Sequence, residues 1–318
     1  MSITITGGFT AAGGGFTLVP PPSTPDAGWF GGGSTGSIAS LVSRITYATD
    51  TDTSTNRGPL SLARKSLGAT GDLTYGWFAG GEVTGPTVQS LVDRITYATD
   101  TATASVRGPL SAAKKYLAGT GNTTNAWFGG GRTPAGVYFS TVDRITYTTD
   151  TATASVRGPL SLARSALAAT GNATDGWWAG GYASSPAPGT FRSTIDRVTF
   201  ATDTATASVR GPLTNSNFRL AATGTPTDGW FGGGYSGSTV QRVIFATDTA
   251  TASVRGPLSS GRTYLAASTD STTYGWFGSG SFTSRVDRIT YATDTATASI
   301  RGPLSSARSY LAASSGIQ

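Results

Sequence analysis

The chain has 318 residues, 44 of them glycine, a formal charge of +6, and neither histidine nor cysteine. That composition removes disulfides, thiolate and imidazole metal sites, cysteine nucleophiles and the usual general base near neutral pH. No run of 18 apolar residues occurs, so no membrane insertion is expected, and Met1-Ser2-Ile3-Thr4-Ile5-Thr6 has neither the basic start nor the apolar run of a signal peptide.

Residues 1–26 stand apart as an N-terminal arm. Gly7-Gly8-Phe9-Thr10 and Gly14-Gly15-Phe16-Thr17 echo each other seven residues apart, and Pro20-Pro21-Pro22 with Pro25 make a stiff, extended linker. Ile3, Ile5, Phe9 and Phe16 would be exposed if the arm stood alone. An anchor that adds strands to another subunit gives them a place. A floppy tail, or an arm folded onto its own domain, is the alternative.

From residue 27 to 318 one unit recurs six times. Its tryptophans, Trp29, Trp77, Trp127, Trp177, Trp230 and Trp276, are spaced by 48, 50, 50, 53 and 46 residues. Periods in this range mark propellers and solenoids. Each copy divides into four apolar stretches separated by turn residues. The first is short, as in Leu167-Ala168-Ala169-Thr170-Gly171, and the second is aromatic and closes on glycines, as in Trp177-Trp178-Ala179-Gly180-Gly181. The third alternates, Val92-Asp93-Arg94-Ile95-Thr96-Tyr97, with Val92, Arg94 and Thr96 facing one way and Asp93, Ile95 and Tyr97 the other. After the turn Ala98-Thr99-Asp100 comes Thr101-Ala102-Thr103-Ala104-Ser105-Val106, small and polar like an outer edge strand, stopped by Gly108-Pro109.

Four antiparallel strands per copy, six times over, predict an all-β, six-bladed propeller. The chain enters blade one at its second strand, near Trp29, and the matching first strand comes last, at Leu311-Ala312-Ala313-Ser314. The C-terminal strand should therefore join the N-terminal blade and seal the ring.

The order of elements resembles the kelch repeat over residues 27–318: a basic residue, a small apolar strand, an aromatic strand ending in Gly-Gly, a variable loop, a third strand with tyrosine, an outer strand and Pro-Leu. Kelch blades usually carry a tryptophan in the fourth strand, whereas this chain has Ala104-Ser105-Val106 there. Interblade packing is then expected to fall to the second-strand tryptophan. The similar blades, the Gly-Phe-Thr arm and the absence of a signal peptide resemble structural proteins of tailed bacteriophages. That resemblance implies a virion component made in the host cytoplasm, on a tail or fibre, contacting a host surface glycan or protein. It would be held to other virion subunits through residues 1–26. A capsid decoration protein is the alternative within that class. From a different class, the alternative is a carbohydrate-active propeller enzyme. Kelch-like copper oxidases need histidine at the metal, and the Asp-box of sialidase propellers is not seen although carboxylates and tyrosine are present, so no enzyme activity and no cofactor is expected.

Seventeen of the 23 basic residues recur at three places in the repeat. Spread around an axis they make rings rather than the one-sided patch that a nucleic-acid partner requires, so none is expected. The set just before each innermost strand, Arg64, Lys114, Arg164, Arg262 and Arg308, with Asn217 in the remaining copy, could ring the channel mouth and hold an anion. Alternatively it bonds backbone carbonyls and bridges neighbouring blades. The pairs Asp93-Arg94, Asp143-Arg144, Asp196-Arg197 and Asp287-Arg288 sit on opposite strand faces and read as scaffold. Asp50, Asp100, Asp150, Asp203, Asp248 and Asp294 read as turn formers. The copies differ in the loops after the glycines, where recognition usually lives. Tyr138, Phe139, Tyr182, Phe191 and Arg192 are the ligand-binding candidates there, suited to sugar faces or a protein hot spot.

Overall fold

The computed structural model describes residues 9–12, 15–18, 26–85, 87–184 and 190–315. Within residues 27–315 it is a ring of six four-stranded antiparallel blades, each a simple meander from the axis outward. Blade two shows the pattern: Gly68–Gly71 innermost, then Tyr75–Ala79, Val92–Thr96 and, at the rim, Ser105–Arg107. β-Branched and aromatic residues fill the second and third strands, which are buried on both sides by neighbouring blades. Val92 and Asp93, adjacent in the third strand, are therefore both fully buried, so strict in–out alternation fails there.

Two boundaries move from the sequence expectation. Tyr97 is not the last residue of the third strand but opens a short 3-10 turn, Tyr97–Thr99. The rim strand begins at Ser105 rather than Thr101. In the arm, Phe9–Ala12 pairs antiparallel with Gly15–Leu18, joining the two echoed segments into one hairpin. The proline linker and the rest of residues 1–25, with their anchoring role, lie outside the described residues.

Closure follows the expected route. Ala312–Ser315 pairs antiparallel with Ala27–Gly31, with Ala312 opposite Gly31 and Ser315 opposite Gly28, completing blade one. There is no single central core. The apolar residues fall into six wedges between adjacent blades, such as Trp77, Val92, Leu110, Leu117, Phe128 and Ile145. Glycine ends the second strand where the next blade presses in: a Cβ on Gly31 would stand 2.7 Å from the Phe78 ring.

The second-strand tryptophan carries the interblade packing that a rim tryptophan would otherwise supply. Each stacks on the aromatic that opens the 3-10 turn of the next blade: Trp29 on Tyr97, Trp77 on Tyr147, Trp127 on Phe200, Trp177 on Phe245, Trp230 on Tyr291 and Trp276 on Tyr47. Centroid separations run from 3.7 to 4.2 Å, and such a pair is worth about 0.5–1.5 kcal/mol beyond the area it buries. Burial raises the phenol pKa values of Tyr47, Tyr97, Tyr147 and Tyr291, so these rings stay neutral.

Candidate functional site

In a four-stranded meander the loops between second and third strands share one edge with the crossovers between blades. The candidate site lies on that edge of the ring, where six residues preceding the innermost strands adopt the left-handed conformation. They are Ser66, Tyr116, Ala166, Arg219, Tyr264 and Tyr310, with φ between 57 and 65°. None is glycine, so each is strained. What holds them is a closed circle of backbone hydrogen bonds around the axis. The N–H of each donates to the carbonyl of the one before, from Tyr116 N to Ser66 O at 2.7 Å round to Ser66 N to Tyr310 O at 2.7 Å. The circle caps the channel above a layer formed by Leu67, Leu117, Leu167, Leu220, Leu265 and Leu311.

The candidate basic ring is not at this mouth. Arg64, Lys114, Arg164 and Arg308 are fully buried and Arg262 is 2 % exposed. Four of them ion-pair with a third-strand aspartate: Arg64 with Asp93 at 2.7 Å, Lys114 with Asp143 at 2.9 Å, Arg164 with Asp196 at 2.8 Å and Arg262 with Asp287 at 2.6 Å. The arginines among them also reach main-chain carbonyls, as Arg64 does at Leu91 O and Arg164 at Trp178 O, both 2.9 Å. Burial pulls their pKa values down while the facing carboxylates pull the other way. Their own carbonyls accept from the second glycine of the preceding blade, as in Gly81 N to Lys114 O at 2.9 Å. Gly80, at φ 68°, sits so close that a Cβ would stand 2.6 Å from the same oxygen. The side chains brace their own blade and only the main-chain carbonyls tie on the preceding one, so these residues neither ring the mouth nor bridge blades through their side chains. The reason is steric: the crossover turns each side chain into the blade.

The turn aspartates do more than form turns. Each accepts the indole Nε1 of the preceding blade, as Asp100 does from Trp29 at 2.7 Å, and pairs with two of that blade's arginines, here Arg44 and Arg57, both at 3.3 Å. Asp93 and Arg94 ignore each other, as expected, because Arg94 turns to Asp150 at 3.0 Å.

The variable-loop candidates largely converge. Tyr138, Tyr182 and Phe191 line one groove of about 350 Å³ together with Tyr116, Arg132, Phe218, Arg219 and Tyr264. Tyr182 faces Phe191 across a two-residue strand pair, Tyr182–Ala183 with Thr190–Phe191. Phe191 stacks on Phe218 at 4.2 Å and approaches Tyr235 at 4.6 Å, and Tyr138 and Tyr182 lie 5.8 Å apart. Phe139 and Arg192 are not in the lining. Phe139 covers the buried Lys114, with Nζ 5.8 Å from its ring, and the Arg192 main chain is bonded to Gly181 and Asn217.

Two groove arginines, Arg132 and Arg219, are not among the residues that the sequence singled out. Arg219 is sandwiched between Phe218 at 4.4 Å and Tyr264 at 4.3 Å, and Arg132 lies over Tyr116 at 5.3 Å and Tyr138 at 6.0 Å. Burial and the neighbouring Tyr116 and Tyr310 push the Tyr264 phenol pKa up, so its hydroxyl stays protonated.

No protein family and no curated protein matches this chain. The groove offers flat aromatic faces, two guanidinium groups beside aromatic rings, and no carboxylate in the lining. Among the described residues no three acidic side chains cluster as a metal site would need.

Proposed function

We propose that this chain is a non-catalytic binding module, a kelch-like propeller carried on a virion, whose variable-loop face contacts a host surface glycan or protein. The observation that carries the reading is the groove spanning blades three to five and the crossover into blade six. It is assembled where the copies differ most, and it gathers tyrosine, phenylalanine and arginine, the residues that dominate recognition hot spots. The carboxylates support a non-catalytic role, because the six turn aspartates and four third-strand aspartates are spent on ion pairs that hold the blades. The virion setting rests on the resemblance to tailed-phage structural proteins, with residues 1–26 as the attachment to other virion subunits.

The test combines two variants. Replacing Tyr138, Tyr182 and Phe191 by alanine is expected to lower binding to host cells at least tenfold with an unchanged melting temperature. Removing residues 1–24 is expected to leave a folded propeller that no longer enters its assembly. Host binding unaffected by the first change overturns the recognition role, and normal incorporation after the second overturns the anchor. Capsid decoration is the second reading. What favours it is the rim, where Val106, Val156, Val209, Val254 and Ile300 are each more than half exposed, a repeated apolar edge suited to lateral packing. Density on the capsid shell rather than the tail in electron microscopy of the native particle would select it.

A further inference from the structure

The charge on the variable-loop edge narrows the ligand. Outside the three repeated sets the chain has six basic residues, Lys65, Lys115, Arg132, Arg192, Arg219 and Arg285. Every one falls in a loop between second and third strands or in a crossover, and so on the same edge of the ring. The acidic side chains toward that edge are already held, Glu82 by Lys65 and Lys115, and Asp93, Asp143, Asp196 and Asp287 by the crossover bases. Asp72, Asp175, Asp228 and Asp270 lie on or beside the turns between first and second strands, at the opposite edge. The charges outside the repeated sets are thus polarised along the axis. The groove sits at the positive end.

Within the groove, Arg132 and Arg219 make no ion pair and no side-chain hydrogen bond among the described residues. Arg219 is held between two rings and Arg132 lies within cation–π reach of two more, which restrains each guanidinium while leaving its N–H edges without an acceptor among the described residues. A planar fork held this way matches a carboxylate. The rings beside it, Tyr138, Tyr182 and Phe191, are tilted against one another at 44 and 58° rather than packed face to face, so they form walls of a concave surface. Walls of this kind suit the C–H faces of a pyranose, and the tyrosine hydroxyls suit its edge. A volume of about 350 Å³ lies at the small end of ligand clefts, enough for a short saccharide and too little for a folded partner's anchor helix.

Resting on the proposal that this face recognises a surface ligand, we propose that the groove binds an acidic saccharide, its rings against Tyr138, Tyr182 and Phe191 and its carboxylates paired with Arg132 and Arg219. The full-length protein is titrated against uronate and sialylated oligosaccharides, their carboxyl-reduced counterparts, inorganic phosphate and an acidic peptide. Acidic sugars are expected to bind at least tenfold more tightly than the reduced ones, with affinity falling as salt rises. Arg132→Gln with Arg219→Gln is expected to abolish that preference while the melting temperature stays put, since neither arginine holds an ion pair among the described residues. Reduced and acidic sugars bound equally, with no effect of the arginine changes, would overturn the acidic class and leave a glycan-binding face intact. Binding of the peptide or phosphate in place of any sugar would overturn the saccharide assignment. If no probe binds and host-cell binding also survives loss of Tyr138, Tyr182 and Phe191, the recognition face itself falls.

Discussion

Trp276 donates its indole Nε1 to Asp50 Oδ2 at 2.8 Å, although 226 residues separate them. Every other blade makes the same bond to its successor; this one runs from the last blade back to the first. Asp50 also holds Arg288 at 3.0 Å and Arg301 at 3.5 Å, so a single carboxylate fastens three side chains of blade six to blade one.

Asp50→Asn keeps the shape but withdraws the charge from two arginines that are less than a fifth exposed. We expect a loss of about 2–4 kcal/mol in stability, seen as a lower midpoint in urea denaturation. Asp52→Asn, two residues on and exposed, serves as the control and should leave the midpoint in place. Equal midpoints for the two variants would show that the clamp contributes nothing.

Deleting residues 311–318 removes Ala312–Ser315 from blade one and opens an unpaired edge at Ala27–Gly31. Leu311, also lost, is buried in the wedge with Trp276 and Val286. The whole ring is expected to lose stability, with the melting temperature falling and the shortened protein prone to associate through the bared strand. A truncated chain that melts with the full-length protein would contradict closure by this strand.

One of these braces within a blade is incomplete, and repairing it should stabilise the protein. Arg308 meets Ser43 Oγ at 2.8 Å where the equivalent residues meet Asp93, Asp143, Asp196 and Asp287. Burial without a carboxylate pulls the Arg308 pKa down to about 10. The sign follows from linkage: a folded-state pKa below the unfolded one means that charged Arg308 costs stability at neutral pH. That cost is relieved only as pH rises through about 10 toward the ordinary arginine value. Ser43→Asp is expected to raise stability by about 1–2 kcal/mol at neutral pH, the gap over the parent narrowing above pH 10. Thermal melts of both proteins at neutral and alkaline pH decide it.

The same brace shows how much can be read from repeats alone. In the copy where Asn217 replaces the basic residue, the third strand carries Gln241 in place of aspartate; the charge is missing from both sides at once. That paired change signals contact, and it was legible without coordinates. So was the placement of the six basic residues outside the repeated sets, which marks the charged edge before any side chain is placed. What hid the role of Arg64 and its equivalents was direction. Sequence puts them near the axis, but only the path of the crossover turns them inward to Asp93 and Leu91 O instead of outward to the channel.

By itself the chain determined its architecture: strand periodicity, glycine and proline punctuation and six copies of one tryptophan unit specify four-stranded blades, and the split first blade specifies how the ring closes. Those are local patterns and counts, and they survive without knowing which residues meet. Only the tertiary structure decided that Tyr116, Phe218, Arg219 and Tyr264 from three crossovers join Arg132, Tyr138, Tyr182 and Phe191 from two loops in one groove. Residues up to about 150 positions apart become neighbours there because successive crossovers converge on the axis, and the left-handed turn at Tyr116, Arg219 and Tyr264, held by the closed circle of backbone hydrogen bonds, sets where their side chains stand.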